Sequence, residues 1–158
     1  MKNTARGFTL IELVVTIAIV SILAMAVVPL GELGVQRNKE HELRSALWTI
    51  RAALDAYKNA AEQGRVARKA DGSGYPPDLR DLVKGVPDAM SPNGERIYFL
   101  RRLPRDPFHA EAADPAELTW GLRAYASPPD QPAEGDDVFD VYSRSKDKGL
   151  NGIAYRDW

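Results

Sequence analysis

An almost unbroken apolar run, FTLIELVVTIAIVSILAMAVVPL, fills residues 8–30. The next segment changes period. From Glu32 onward Leu43, Leu47, Ile50, Leu54, Tyr57 and Ala61 recur at spacings of three and four, which puts them on one face of a helix. Arg37, Lys39, Glu40, Glu42, Arg44, Arg51, Asp55 and Lys58 are read on the opposite, solvated face. Gln63-Gly64 marks the expected stop, because glycine is a frequent helix terminator. GRVARKADGSGYPPD (residues 64–78) reads as a loop, and Asp78 as the cap of a short helix, Leu79 to Lys84. Gly85 to Glu95 is loop-like again. Arg96 to Phe108 has a short apolar core closed by two prolines, which forbid a long regular element. Trp120 to Ser127 alternates as a strand does. Ser127 to Asp137 is a proline-rich turn, and Val138 to Ser145 alternates again, with Val138, Asp140 and Tyr142 on one face and Phe139, Val141 and Ser143 on the other. The pair predicts an antiparallel hairpin. The expected architecture is α+β: a long helix, a variable loop, then a small antiparallel sheet packed on the helix's second half.

Phe8 to Leu30 is long enough to span a bilayer, which takes about 20 apolar residues. Lys2, Arg6 and the initiator amine precede it, so the leader is expected in the cytoplasm and the bulk outside. The run is longer than a secretory signal core. SILAMA (Ser21 to Ala26) resembles an Ala-x-Ala cleavage site, which keeps ordinary signal processing open. Glu12 interrupts the run one turn from its start. A carboxylate at a bilayer centre costs on the order of 3 kcal/mol, part of which a terminal position escapes. Two readings stand: a tolerated interfacial acid, or an acid kept because a positive group meets it in an assembled state. Pro29 removes a helical hydrogen bond and favours a kink or local unwinding.

The 158 residues suit one domain plus a membrane segment. A net charge of -1 argues against a large nucleic-acid footprint, and no nucleic-acid partner is expected. With no cysteine, neither a disulfide staple nor a thiolate metal site is available. His41 and His109 sit in no ligand motif. No paired nucleophile and base, and no phosphate loop, is evident; DGSG (Asp71 to Gly74) is a turn. A membrane-anchored enzyme or binding module therefore has nothing in the sequence to carry it.

Gly7-Phe8-Thr9-Leu10-Ile11-Glu12 after a short basic leader resembles the class III signal of type IV pilins and type II secretion pseudopilins. The resemblance implies cleavage by a prepilin peptidase between Gly7 and Phe8, and N-methylation of Phe8. It places Glu12 fifth in the mature chain, the position that serves filament assembly, and Pro29 where the helix loosens during assembly. A new amine at Phe8 would lie one turn from Glu12, so that the Glu12 of one subunit could meet the amine of the next and set the register. The likeness continues in GYPPDLRDLV (Gly74 to Val83), FLRRLPRDPF (Phe99 to Phe108) and DVYSRSKDKGLNGIAYRDW (Asp140 to Trp158), which are similar to segments of the major pseudopilins.

That family implies a leader over 1–7, a membrane and assembly helix over 8–30 and a periplasmic globular domain over 31–158, with a type IV pilin-like fold. It implies a single-pass inner-membrane protein, homopolymerised into a periplasmic pseudopilus. Its partners would be minor pseudopilins, the prepilin peptidase, the inner-membrane assembly platform and membrane lipid. The alternative within the superfamily is a type IV pilin for adhesion, motility or DNA uptake; the missing cysteines and Leu-Pro-Arg-Asp-Pro favour the pseudopilin. Asp147, Asn151 and Asp157 offer oxygen ligands in the last loop, with Gly149 and Gly152 permitting a tight turn. In major pseudopilins this loop binds calcium, and calcium is the one cofactor expected. Lys146 and Lys148 flank Asp147 and depart from the family's acid-rich loop.

Overall fold

The computed structural model describes residues 7–68 and 71–158, the side chains of residues 26–30 excepted; Lys2 and Arg6 of the leader lie outside it. Helix α1 runs over Leu10–Glu62, 53 residues. The chain divides into two units, Met1–Asn38 and Lys39–Trp158.

In the first unit the described apolar side chains of α1 are exposed on every side, Ile11 at 71% and Met25 at 78% among them. A helix that is apolar all round finds its partner outside itself. Among the described residues no helix is long and apolar enough to cross a membrane. The expected span over Phe8 to Leu30 includes residues 26–30, whose side chains are outside the description. The apolar side chains that are described, Leu10–Met25, fall short of the roughly 20 residues a span takes.

In the second unit the expected stripe is the core. Leu43, Leu47, Ile50, Leu54, Tyr57 and Ala61 are all buried, against Leu79, Leu82, Trp120, Val138, Val141 and Tyr155. Each large aliphatic so buried contributes about 1.5–3 kcal/mol. The helix stops where glycine predicts. Gly64 has a φ of 73°. Its N–H donates to Ala61 O at 3.1 Å and that of Arg65 to Ala60 O at 2.9 Å, so the last carbonyls are satisfied.

Helix α2, Arg80–Lys84, starts one residue later than expected, because its cap position is Leu79 and carries no side-chain cap. Asp78 still serves the start: its Oδ1 accepts the Arg80 N–H at 2.8 Å, and its carboxylate holds the Arg80 guanidinium. Strand β1 (Val86–Pro87), inside the stretch expected to be loop, pairs antiparallel with β2 (Arg96–Ile97), at the start of the Arg96–Phe108 segment. Two residues per strand are too few to show alternation. Strand β3 (Trp120–Arg123) pairs with β4 (Asp140–Ser143) antiparallel, from Trp120 opposite Ser143 to Arg123 opposite Asp140. Both strands are shorter than expected. The Tyr125 N–H goes to Asp137 Oδ1 and the Ser127 N–H to Ala124 O, so the chain turns away after Arg123.

The Leu103–Pro107 segment is tied down by Asp106. This carboxyl is 3% exposed; it accepts the Ser143 hydroxyl of β4 at 2.6 Å and the Phe108 N–H at 2.8 Å. The Asp106 N–H donates to Thr119 Oγ1, and the Trp120 indole donates to Pro104 O at 2.9 Å. The segment thus locks the hairpin rather than forming an element of its own.

Candidate functional site

Two places collect the expected site residues. The first is the start of α1. Gly7 and Phe8 precede the helix and are exposed, Phe8 at 83%. Thr9 and Glu12 bond reciprocally: the Glu12 N–H donates to Thr9 Oγ1 at 3.3 Å, while Glu12 Oε2 accepts the Thr9 N–H and hydroxyl at 3.2 Å each. This is a capping box, which satisfies two helix-start donors at once. It also sets the carboxylate at the positive end of the helix dipole. The sequence reading weighed Glu12 only as an interfacial acid or an intermolecular partner. The signal for a third role, Thr-x-x-Glu before an apolar run, was in the same six residues. Phe8 is the residue before Thr9, whose N–H and hydroxyl this carboxylate holds. Pro29 stands within the helical span of α1, and its side chain lies outside the described residues.

The second place is the C-terminal loop. Asp147 Oδ2 accepts the Ser145 hydroxyl at 3.4 Å, Asn151 Oδ1 accepts the Ile153 N–H at 3.1 Å, and Asp157 lies 3.8 Å from Arg156 Nε. Each is engaged by a near neighbour. Among the described residues no three His, Cys, Asp or Glu side chains gather where they could hold a metal ion. Lys146 and Lys148 flank Asp147 in this loop.

Two residues that the sequence reading put on the solvated face hold this loop instead. Glu40 is buried, and its Oε1 accepts the Leu150 N–H at 2.7 Å and the Tyr155 hydroxyl at 3.1 Å. Its register gave it away: Glu40, Leu43, Leu47 and Ile50 continue the spacing of the buried stripe. Arg51 is half-buried. It donates to Asp140 Oδ1 at 2.8 Å, to Val141 O at 3.3 Å and to Trp158 O at 2.8 Å. Tyr155 stacks on Phe108 with centroids 3.9 Å apart and meets Trp158 edge-on, while the Arg44 guanidinium lies 4.3 Å from the Trp158 ring centre. Gly149 leaves the space the Trp158 ring occupies, since a Cβ there would collide with it. Of the histidines, His41 is exposed and His109 Nε2 sits 2.8 Å from Asp114.

Residues 2–28 match the prokaryotic N-terminal methylation motif. The chain is 32% identical to the type II secretion system core protein G of Dickeya chrysanthemi over 115 residues, 70% of this chain and 68% of that one. It is 32% identical to the protein of the same name from Klebsiella michiganensis over 111 residues, 68% of this chain and 70% of that one. It is 34% identical to that of Klebsiella pneumoniae over 114 residues, 67% and 71% respectively. No solved structure matches the chain.

Proposed function

The chain belongs to the type II secretion system core protein G family and is a pseudopilin subunit of type II secretion; from that premise we propose how its residues serve the work. The leader over 1–7 is removed between Gly7 and Phe8 by a prepilin peptidase, which methylates the Phe8 amine. Residues 8–30 anchor the chain by a single pass in the inner membrane, and 31–158 form the periplasmic domain. Copies polymerise with one another and with minor pseudopilins on the inner-membrane assembly platform. The chain is read as a structural subunit and not as an enzyme.

The observation that carries this reading is the placement of Glu12. Its carboxylate is held in the first turn of α1 by Thr9, the residue that follows the one whose amine cleavage would release. An anion and a cation that are each costly in lipid become a pair. Thr9 is the competing partner. Within one chain it holds the carboxylate, and in an assembly the neighbour's amine takes over. Pro29, at a backbone position that lacks an N–H, is where the helix would loosen as subunits join.

The test is the mass of the N-terminal peptide from membrane-expressed protein, with and without an active prepilin peptidase. A peptide beginning at N-methylated Phe8 is expected. An intact Met1 beside an active peptidase would sink the processing step, and a cut after Ala24 or Ala26 would sink the retained anchor with it.

A further inference from the structure

We propose that Asn93, in the turn that joins β1 to β2, is a site of spontaneous deamidation, converted in the folded chain to aspartate and isoaspartate, while Asn151 is shielded from the same reaction by its hydrogen bonds. Two asparagines of the chain precede a glycine, Asn93-Gly94 and Asn151-Gly152. Such a step is the reactive one for asparagine, because no side chain on the next residue crowds its backbone nitrogen. Both glycines hold a positive φ, 68° at Gly94 and 79° at Gly152. Both asparagines are exposed, so burial does not separate them.

The reaction needs only water. The Gly94 nitrogen gives up its proton to solvent and bonds to the Asn93 side-chain carbon. The bond from that carbon to the amide nitrogen breaks, and the nitrogen takes a proton and leaves as ammonia. Water then adds to one of the two carbonyls of the succinimide ring. Opening on one side gives aspartate. Opening on the other gives isoaspartate, whose main chain carries an extra carbon. Nothing is oxidised or reduced.

The glycine nitrogen must be released and the asparagine side chain must swing over it. At Asn151 both are tied. The Gly152 N–H donates to Gly149 O at 2.8 Å, Asn151 Oδ1 accepts the Ile153 N–H at 3.1 Å, and the Gly149 N–H donates to Ile153 O at 2.8 Å. Leu150, between them, is fastened to the buried Glu40. At Asn93 the ties are weak. The Gly94 N–H reaches Ser91 O at 3.3 Å, beyond the usual range, and the Glu95 N–H reaches Ser91 Oγ at 3.4 Å. A Cβ on Gly94 would meet nothing within 4 Å, so no packing holds the turn from outside. Strands of two residues each flank it, and such a segment opens at low cost.

The product would place a new carboxylate between Asp88 and Glu95. Isoaspartate would also lengthen the turn that the Asp88 N–H closes on Glu95 O at 2.8 Å. The inference stands apart from the pseudopilin reading, and its test does not depend on assembly.

The full chain in detergent is aged at mildly alkaline pH, folded and in urea, and its peptides are followed by mass and by an isoaspartate-specific methyltransferase. In urea both steps should convert at similar rates. In the folded chain Asn93 should keep a rate close to its unfolded one, while Asn151 slows by roughly tenfold or more. Asn93→Gln, which would have to close a larger ring, should remove the product at that peptide and leave the folded chain intact. Asn93 slowed as much as Asn151 would overturn the proposal, and so would Asn151 converting at its unfolded rate. In the aged chain, hydrogen exchange should quicken at Asp88 and stay unchanged at Leu150. An Asp88 amide as slow as before would overturn the effect on the turn.

Discussion

Leu10–Met25 and Lys39–Glu62 belong to one helix, yet the first turns apolar side chains outward on every side while the second hides its apolar stripe against Trp120, Val141 and Tyr155. Helix propensity alone would treat the two alike. What separates them is where the partner is. The second half carries its partner in the same chain, so its sequence alternates between a buried stripe and a solvated face. The first half has no such alternation, because a lipid or protein partner that surrounds a helix asks for apolar residues at every angle. Substitutions in the two halves should therefore fail in different assays.

The largest effect is expected at the junction ahead of α1. A Cβ on Gly7 meets nothing within 4 Å, so Gly7→Val leaves the folded chain undisturbed. If the peptidase reads this position, the same change abolishes processing. Immunoblotting should show only the longer form and no filament, while the thermal midpoint of the protein stays where it was. Filament formation by Gly7→Val would break the link between this junction and assembly.

The second contrast is between the halves themselves. Leu54 is 0% exposed, and Leu54→Ala should cost about 2–5 kcal/mol by the lost transfer energy and the cavity left behind. Ile19, 52% exposed, should cost the folded second unit nothing when changed to alanine. Urea denaturation followed by the tryptophans Trp120 and Trp158 reads both. A large shift from Ile19→Ala would mean that the first half packs within the chain after all.

Much of this division can be read along the chain. The stripe from Leu43 to Ala61, the stop at Gly64 and the hairpin of β3 with β4 all follow from local period and turn chemistry. Glu12 stands out along the chain as a charge in an apolar run, and its bonds to Thr9 are written in the Thr-x-x-Glu spacing rather than in its charge. Glu40 was misplaced for a related reason. Residue type argued for solvent, register argued for the core, and register won because Leu150 and Tyr155 supply donors from more than 100 positions away. Such long-range compensation leaves no local mark. The strands β1 and β2 are two residues each, below the length at which alternation carries information.

Glu40 gives the next, smaller effect. Glu40→Ala should destabilise by about 1–3 kcal/mol, since the Leu150 N–H and the Tyr155 hydroxyl lose the one buried oxygen that accepts both. The loss should show in denaturant midpoint and in faster hydrogen exchange at Leu150, with Ile153 and Tyr155 following. The same experiment sharpens the question of calcium. If the loop is tied through Glu40, calcium and a chelator should leave the midpoint of the unaltered chain unchanged. A rise in midpoint with calcium would give Asp147, Asn151 and Asp157 a role that their present neighbours do not suggest.

The smallest effect belongs to pH and to the second unit alone. The Arg80 guanidinium holds the Asp78 carboxyl below its usual value, and that of Arg65 does the same for Asp88. Burial, and next the charge of Asp78, pushes Asp81 up. A lowered folded pKa means stability that is present above the ordinary carboxylate value of about 3.9 and lost as pH falls through the folded one. A raised folded pKa works the other way: ionised Asp81 is a cost at neutral pH that disappears as pH falls through its folded value. Acidification should therefore first raise the urea midpoint slightly, as Asp81 takes its proton, and then lower it as Asp78 and Asp88 take theirs. Asp81→Asn should remove the rise and keep the fall, and Asp88→Asn should shrink the fall and keep the rise.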